Sequence, residues 1–180
     1  MSKQLDAKAP WTPAPETRAR IDDALRRYPT KASAIMPCIW AVQDELGWVP
    51  PAGIDLLVAE LEVTRARVHE VLSFYTMFRT EPQAAHVLQV CRNISCHIMG
   101  ARPLIAHLEK RLGVRLGETT PDGRFALEGA ECLGACGGGP CLQLGRHLYE
   151  NLTPEKADGL LESLRRGEVP RADTDRELED

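Results

Sequence analysis

Leu88-Gln89-Val90-Cys91-Arg92-Asn93-Ile94-Ser95-Cys96 and Cys132-Leu133-Gly134-Ala135-Cys136-Gly137-Gly138-Gly139-Pro140 are the two stretches on which the reading of this chain turns. Each carries a cysteine pair shortly after a strand-like run, the first spaced Cys-x4-Cys and the second Cys-x3-Cys, with residues 97 to 131 between them. Four thiolates set two by two are the donor set that a two-iron, two-sulfide cluster requires. Each iron needs two protein thiolates to complete a tetrahedron of sulfur, so two short loops supplying a pair apiece would clamp such a group between them. That donor set points to one-electron chemistry.

Outward from the cysteines, the second half of the chain alternates in type. Residues 86 to 92 read as a strand, 103 to 112 as a helix with Ile105, Leu108 and Leu112 on one side, and 124 to 128 as a second strand. Residues 141 to 144 and 148 to 150 are expected to pair as a hairpin across Gly145-Arg146-His147. A last helix has Thr153 to cap it, Pro154 at its first position, Glu155 near its start, Arg165 and Arg166 near its end and Gly167 just beyond. The order βαββα with one hairpin fits a thioredoxin-like layer of sheet and helices, with both cysteine loops leaving at the carboxyl ends of neighbouring strands, where open α/β sheets tend to form their sites. Gly137, Gly138 and Gly139 let backbone N–H groups approach a bulky inorganic core. Ile94, Ile98, Met99 and Leu133 are expected to shield it from water.

The first half reads as a helical bundle. Ile21, Ala24, Leu25 and Tyr28 share one helical face, as do Ile54, Leu57, Val58 and Leu61, and Val68, Val71, Leu72 and Tyr75. Ile35, Ile39, Val42 and Leu46 form a fourth stripe, in which Pro37 marks either the first turn or a kink and after which Gly47 stops the helix. Thr64 is the expected cap of the last helix. The pattern changes near Glu81-Pro82, which divides the chain into a disordered tail (1–15), a helical bundle (16–81), a thioredoxin-like cluster domain (82–167) and an acidic tail (168–180). The expected fold class is α+β.

Composition narrows the function classes. With 180 residues, 43% of them hydrophobic, and a net charge of −4, the chain has the makings of a soluble globular protein, and its mild acidity argues against nucleic acid. The longest apolar stretch, around residues 34 to 42, is too short for a membrane span, and the N-terminus carries no apolar export segment, so a reducing cytoplasm is expected. There, six cysteines speak for metal or redox chemistry over disulfides. Structural zinc usually spaces its pairs differently from Cys132-x3-Cys136, and a dithiol oxidoreductase wants a Cys-x-x-Cys that neither pair offers. Cys38 falls in an apolar stripe and reads as a buried small hydrophobe; Cys141 opens a strand after Pro140, and neither completes a four-ligand set.

His97 follows Cys96, but a Rieske-type site needs two histidines on one iron and no second is spaced to serve. His69, His86, His107 and His147 have no triad-like partners and read as surface or edge residues. Trp40, Trp48 and the run Phe74-Tyr75-Thr76-Met77-Phe78 read as core or domain-packing residues.

The run from Cys132 to Pro140, with Asp122 and Phe125 upstream, Leu88-Gln89-Val90-Cys91 before them, and Phe74-Tyr75-Thr76-Met77-Phe78 earlier still, resembles the 24 kDa 2Fe-2S subunit of respiratory complex I, NADH:quinone oxidoreductase. The resemblance covers about residues 16 to 166. It departs at Ala126, where that family usually has Ser or Thr, a change that touches a local hydrogen bond and no ligand. It implies a helical N-terminal domain, a thioredoxin-like ferredoxin domain, and one 2Fe-2S cluster held by Cys91, Cys96, Cys132 and Cys136. It further implies a flavoprotein partner that binds FMN and NADH, together with other peripheral-arm subunits, at the inner face of the cell membrane. Residues of this chain agree with a partner-held nucleotide, since no Gly-x-Gly-x-x-Gly follows a strand and no phosphate-binding loop motif occurs. The competing expectations are the equivalent subunit of an NAD-linked hydrogenase or formate dehydrogenase and, in a different class, a zinc-binding interaction module.

Overall fold

Apolar residues recur every three to four positions through the first half of the chain, and in the computed structural model, which describes residues 11–172, they close into a helical core. Four helices build it: α1 (Pro15–Arg27), α2 (Ile35–Leu46), α3 (Pro51–Leu61) and α4 (Arg65–Phe74). Proline at the first position suits α1 and α3, where the missing N–H would have no intrahelical partner. Pro37 lies in the first turn of α2, just after a 3-10 turn at Lys31–Ala34, so it starts that helix and does not kink it. Thr64 accepts from the Arg67 N–H at 3.2 Å and caps α4. Ile21, Ile39, Val42, Leu57, Leu61 and Val68 are at most 1% exposed and form the centre of the core.

Buried Gln43 ties the segment after α4 to α2. Its Nε2 donates to the Met77 carbonyl at 2.9 Å and its Oε1 accepts from the Arg79 N–H at 2.7 Å, so a polar side chain is taken out of water with its bonds made. Phe78 packs edge-on against Trp40 with centroids 5.3 Å apart. Three apolar residues expected to pack lie elsewhere: Phe74 and Met77 are 76% and 44% exposed, and Tyr28 follows the end of α1 at 42% exposure. A cleft of about 450 Å³ lies beside Phe74, lined also by Ile35, Met36, Val71 and Tyr75.

The chain divides into two units between Gln83 and Ala84, and the second is built around a sheet. Its elements are β1 (His86–Cys91), α5 (Ile94–Ile98), α6 (Ala101–Leu112), β2 (Phe125–Ala130), β3 (Leu142–Leu144), β4 (His147–Tyr149) and α7 (Pro154–Arg166). The strand order is β2-β1-β3-β4. β1 runs parallel to β2, in register from His86 opposite Phe125 to Cys91 opposite Ala130, and antiparallel to β3, whose hairpin with β4 turns over Gly145-Arg146. Two helices, not the one expected, fill the crossover from β1 to β2, because residues 94–98 wind into a short helix of their own before α6.

Leu88 and Leu127 from the sheet share one cluster with Leu104 and Leu108 of α6 and Leu161 and Leu164 of α7, all at 2% exposure or less. Asp158 of α7 accepts from His107 and Arg111 of α6, at 2.9 and 2.7 Å, which pins the two helices together. Thr153 caps α7 through the Lys156 N–H at 3.3 Å. The Tyr149 hydroxyl donates to the Pro170 carbonyl at 2.8 Å, and Ala172 is buried. Of the expected tails, residues 1–10 and 173–180 lie outside the described residues; within 11–15, Trp11 Nε1 donates to Glu45 at 3.0 Å and Pro15 opens α1. Among the described residues no helix is long and apolar enough to cross a membrane.

Candidate metal centre

Because β1 and β2 are parallel neighbours, their carboxyl ends fall at the same edge of the sheet, and the two cysteine loops leave from there. Cys91 is the last residue of β1, and Cys96 lies in the first turn of α5, whose start is set by Asn93: its Oδ1 accepts the Ile94 N–H at 2.8 Å. Cys132 and Cys136 follow the end of β2 by two and six residues, the latter opening a 3-10 turn at Cys136–Gly138. β2 is itself launched by a turn in which Asp122 accepts the Arg124 N–H at 3.0 Å and the Thr120 hydroxyl oxygen accepts the Phe125 N–H at 3.0 Å. Asp122 and Phe125, singled out in the sequence, are therefore the frame of that strand and not part of the centre.

The sulfurs fall into an inner and an outer group. Cys91, Cys96 and Cys141 are buried, at 2%, 2% and 1% exposure, with all three sulfurs within 4.8 Å of one another. Cys132 and Cys136 are exposed, with their sulfurs 3.7 Å apart. Two thiolates bound at about 2.3 Å to one tetrahedral ion stand about 3.8 Å apart, so the outer pair already has the spacing of one edge of a metal's sulfur tetrahedron. The inner group meets the same condition between Cys96 and Cys141, also at 3.7 Å. Sequence spacing linked Cys91 with Cys96; it gave Cys141 no role, because a position across two strands leaves no local signature.

Each loop shifts the thiols of the other. Burial pushes the Cys91 thiol up, yet the backbone N–H groups of Asn93 and Leu133, with the thiols of Cys96 and Cys141, outweigh it and hold Cys91 below its ordinary value. Leu133 belongs to the second loop, so the backbone of that loop favours the charged form of a first-loop sulfur. Cys96 is raised by burial and by the neighbouring Cys91, and Cys141 is raised by burial first and Cys96 second. Cys136 is raised by Cys132 beside it, against a hydrogen bond from Ser95 on α5. Crowded thiols that resist losing their protons one after another are what a metal cation converts to a full set of thiolates, since its charge outweighs their mutual repulsion.

Glycines admit the second loop to this space. A Cβ on Gly139 would stand 3.1 Å from Met99 Sδ and 3.3 Å from Cys96 Sγ, and one on Gly138 would run into the Glu150 carboxylate. Gly134 has φ +84°, a conformation that side-chain-bearing residues adopt at a cost, and its N–H lies 3.4 Å from Cys132 Sγ. The sulfur donors, the close-approaching backbone and the matched edge spacing all fit a 2Fe-2S cluster. One expectation is corrected here. Ile94, Ile98 and Met99 are 74%, 79% and 46% exposed, because a helix as short as α5 turns them outward, so in this chain they rim the centre without covering it. Cys38 is fully buried among the helices and its thiol is pushed up to about 11 by burial, which makes it inert packing.

Residues 21–165 match the family described as thioredoxin-like [2Fe-2S] ferredoxin. An NADH-quinone oxidoreductase subunit of Rhizobium meliloti is 45% identical over 151 residues, covering 84% of this chain and 90% of that relative. The corresponding NADH-quinone oxidoreductase subunit of Aquifex aeolicus is 35% identical over 135 residues, covering 75% of this chain and 84% of the relative. Among solved structures, an NAD+-reducing [NiFe]-hydrogenase in the air-oxidized state superimposes with a TM-score of 0.64 at 19% identity, over 82% of this chain and only 24% of the hydrogenase chain, a likeness of fold alone. By its α+β architecture, its paired cysteine loops and its match to the family over residues 21–165, the chain belongs to the thioredoxin-like [2Fe-2S] ferredoxins.

Proposed function

We propose that this chain is the one-electron subunit of an NADH:quinone oxidoreductase, with Cys91, Cys96, Cys132 and Cys136 holding one 2Fe-2S cluster. The observation that carries the reading is the convergence of two cysteine loops at the carboxyl ends of parallel β1 and β2, with the Cys132 and Cys136 sulfurs 3.7 Å apart and those of Cys91 and Cys96 within 4.8 Å of each other. When bound, such a cluster supplies one reversibly exchanged electron. The protein's part is to hold four thiolates in two pairs and to present N–H groups to them; the Asn93 and Leu133 backbone stabilises negative charge on Cys91. Relatives at 35–45% identity bear the oxidoreductase name, whereas the hydrogenase likeness rests at 19–21%, which favours the quinone enzyme over the hydrogenase.

The same reading gives NADH and FMN to a flavoprotein subunit, with no substrate site on this chain, and places the assembly at the inner face of the membrane. The exposed rim of Ile94, Ile98 and Met99, and Phe74 beside its cleft, supply apolar surface for such a partner. Anaerobic purification tests the cluster: red-brown protein with about two irons and two sulfides per chain is expected, and colourless protein holding one zinc overturns it. Co-expression with the flavoprotein subunit should give a pair that reduces ferricyanide with NADH. NADH oxidation by the isolated chain, with no flavin added, would require a nucleotide site on this chain and end the carrier reading.

A further inference from the structure

Cys141 is one residue outside β3, yet the register carries it into the centre. Val90 of β1 stands opposite Leu142, so the next rung sets Cys91 opposite Cys141, and the Cys91 N–H donates to the Cys141 carbonyl at 3.1 Å. Side chains on opposed residues of neighbouring strands point to the same face and lie close together. The three inner sulfurs are accordingly within 4.8 Å of one another, and the Cys96–Cys141 pair has the same 3.7 Å separation as Cys132–Cys136. Cys141 is 1% exposed, so its thiol is kept in this space and away from solvent. The inner half of the centre thus holds three sulfurs where one iron of a 2Fe-2S cluster takes two.

We propose that Cys141 is a stand-in ligand for Cys91. The inference rests on the four-cysteine reading above: when Cys91 is missing, Cys96 and Cys141 offer the same iron a pair already at metal-edge spacing, and no strand has to move. No oxidant or reductant enters, because the Cys141 thiol takes the place of the missing thiolate and gives up its proton to solvent.

The test compares the full-length C91A, C91S, C141A and C91A/C141A proteins, reconstituted anaerobically with ferrous iron and sulfide. Iron and sulfide content and the spin signal of the reduced cluster are the readouts. C91A should keep about two irons and two sulfides with an all-sulfur signal, C141A should match the unaltered protein, and the double variant should hold essentially none. C91S should give the same signal as C91A, since Cys141 ligates in both. An empty C91A, a double variant that loads as well as C91A, or a C91S signal marked by oxygen ligation each overturns the proposal. Circular dichroism of the apoproteins accompanies the series; should C91A not fold, the C91S signal decides. Failure of the underlying reading looks different. The unaltered protein would then lack a two-iron cluster, or C141A would itself lose it.

Discussion

Gly139→Ala probes how tightly the second loop is drawn against the first. Gly139 has φ −71° and ψ 157°, which alanine adopts freely, so the substitution acts through space and not through backbone strain. The new carbon would lie 3.1 Å from Met99 Sδ, 3.3 Å from Cys96 Sγ and 3.4 Å from Cys96 Cα, against about 3.5–4.0 Å for relaxed contacts. Met99 is 46% exposed and swings aside; Cys96 is 2% exposed on α5 and cannot. Overpacking of this kind costs about 1–3 kcal/mol. At 1.4 kcal/mol per factor of ten, that cost means loss of the cluster to a chelator roughly 5- to 140-fold faster, with a shifted spin signal from the displaced Cys96 sulfur. Gly137→Ala is the control, because a Cβ there meets nothing within 4 Å and the site carries no positive φ. A Gly139→Ala protein with the chelator half-life and spin signal of the parent would refute the close packing of Gly139 on Cys96.

Cys132→Ser replaces an outer thiolate that has no spare sulfur beside it other than its own partner Cys136; the spin signal should be abolished or strongly altered, while Cys38→Ser leaves it unchanged. Leu161→Ala empties a fully buried position of the second unit and should lower its stability by about 2–5 kcal/mol, read as a shifted urea midpoint with an unchanged slope. Burial and then Arg124 hold His86 below its ordinary 6.5, so the unfolded chain binds the extra proton first and stability falls as pH drops through about 6.5; His86→Gln should flatten that part of the profile. Phe74→Ser, at an exposed site, should weaken capture of the flavoprotein subunit in a pull-down and leave iron content as it was.

Local patterns read well where neighbours along the chain decide the structure. Thr64, Thr153 and Gly167 mark helix ends through bonds made within three or four residues, and the hairpin turn at Gly145-Arg146 is likewise short-range. The placement of both cysteine loops at strand ends was legible for the same reason, each pair following a recognisable strand. The third inner sulfur was not, because Cys141 meets Cys91 only through strand pairing, and pairing register is absent from spacing. Ile94, Ile98 and Phe74 misled in another way: an apolar residue carries no mark of whether its own chain covers it. A five-residue helix such as α5 offers too few positions for periodicity to show which side is buried.

The parallel pairing of β1 with β2 also has a bearing on biosynthesis. Gln89 and its rung partner Glu128 are 39 positions apart, and Cys141 comes later still, so the three segments that converge on the centre leave the ribosome at well-separated times. A growing chain that ends before β2 displays Cys91 and Cys96 as a lone pair, open to any soft metal in the cell. Long-range pairings form late because the intervening chain must first be closed. The four paired thiols therefore exist as a set only once both loops have been made and β1 has paired with β2.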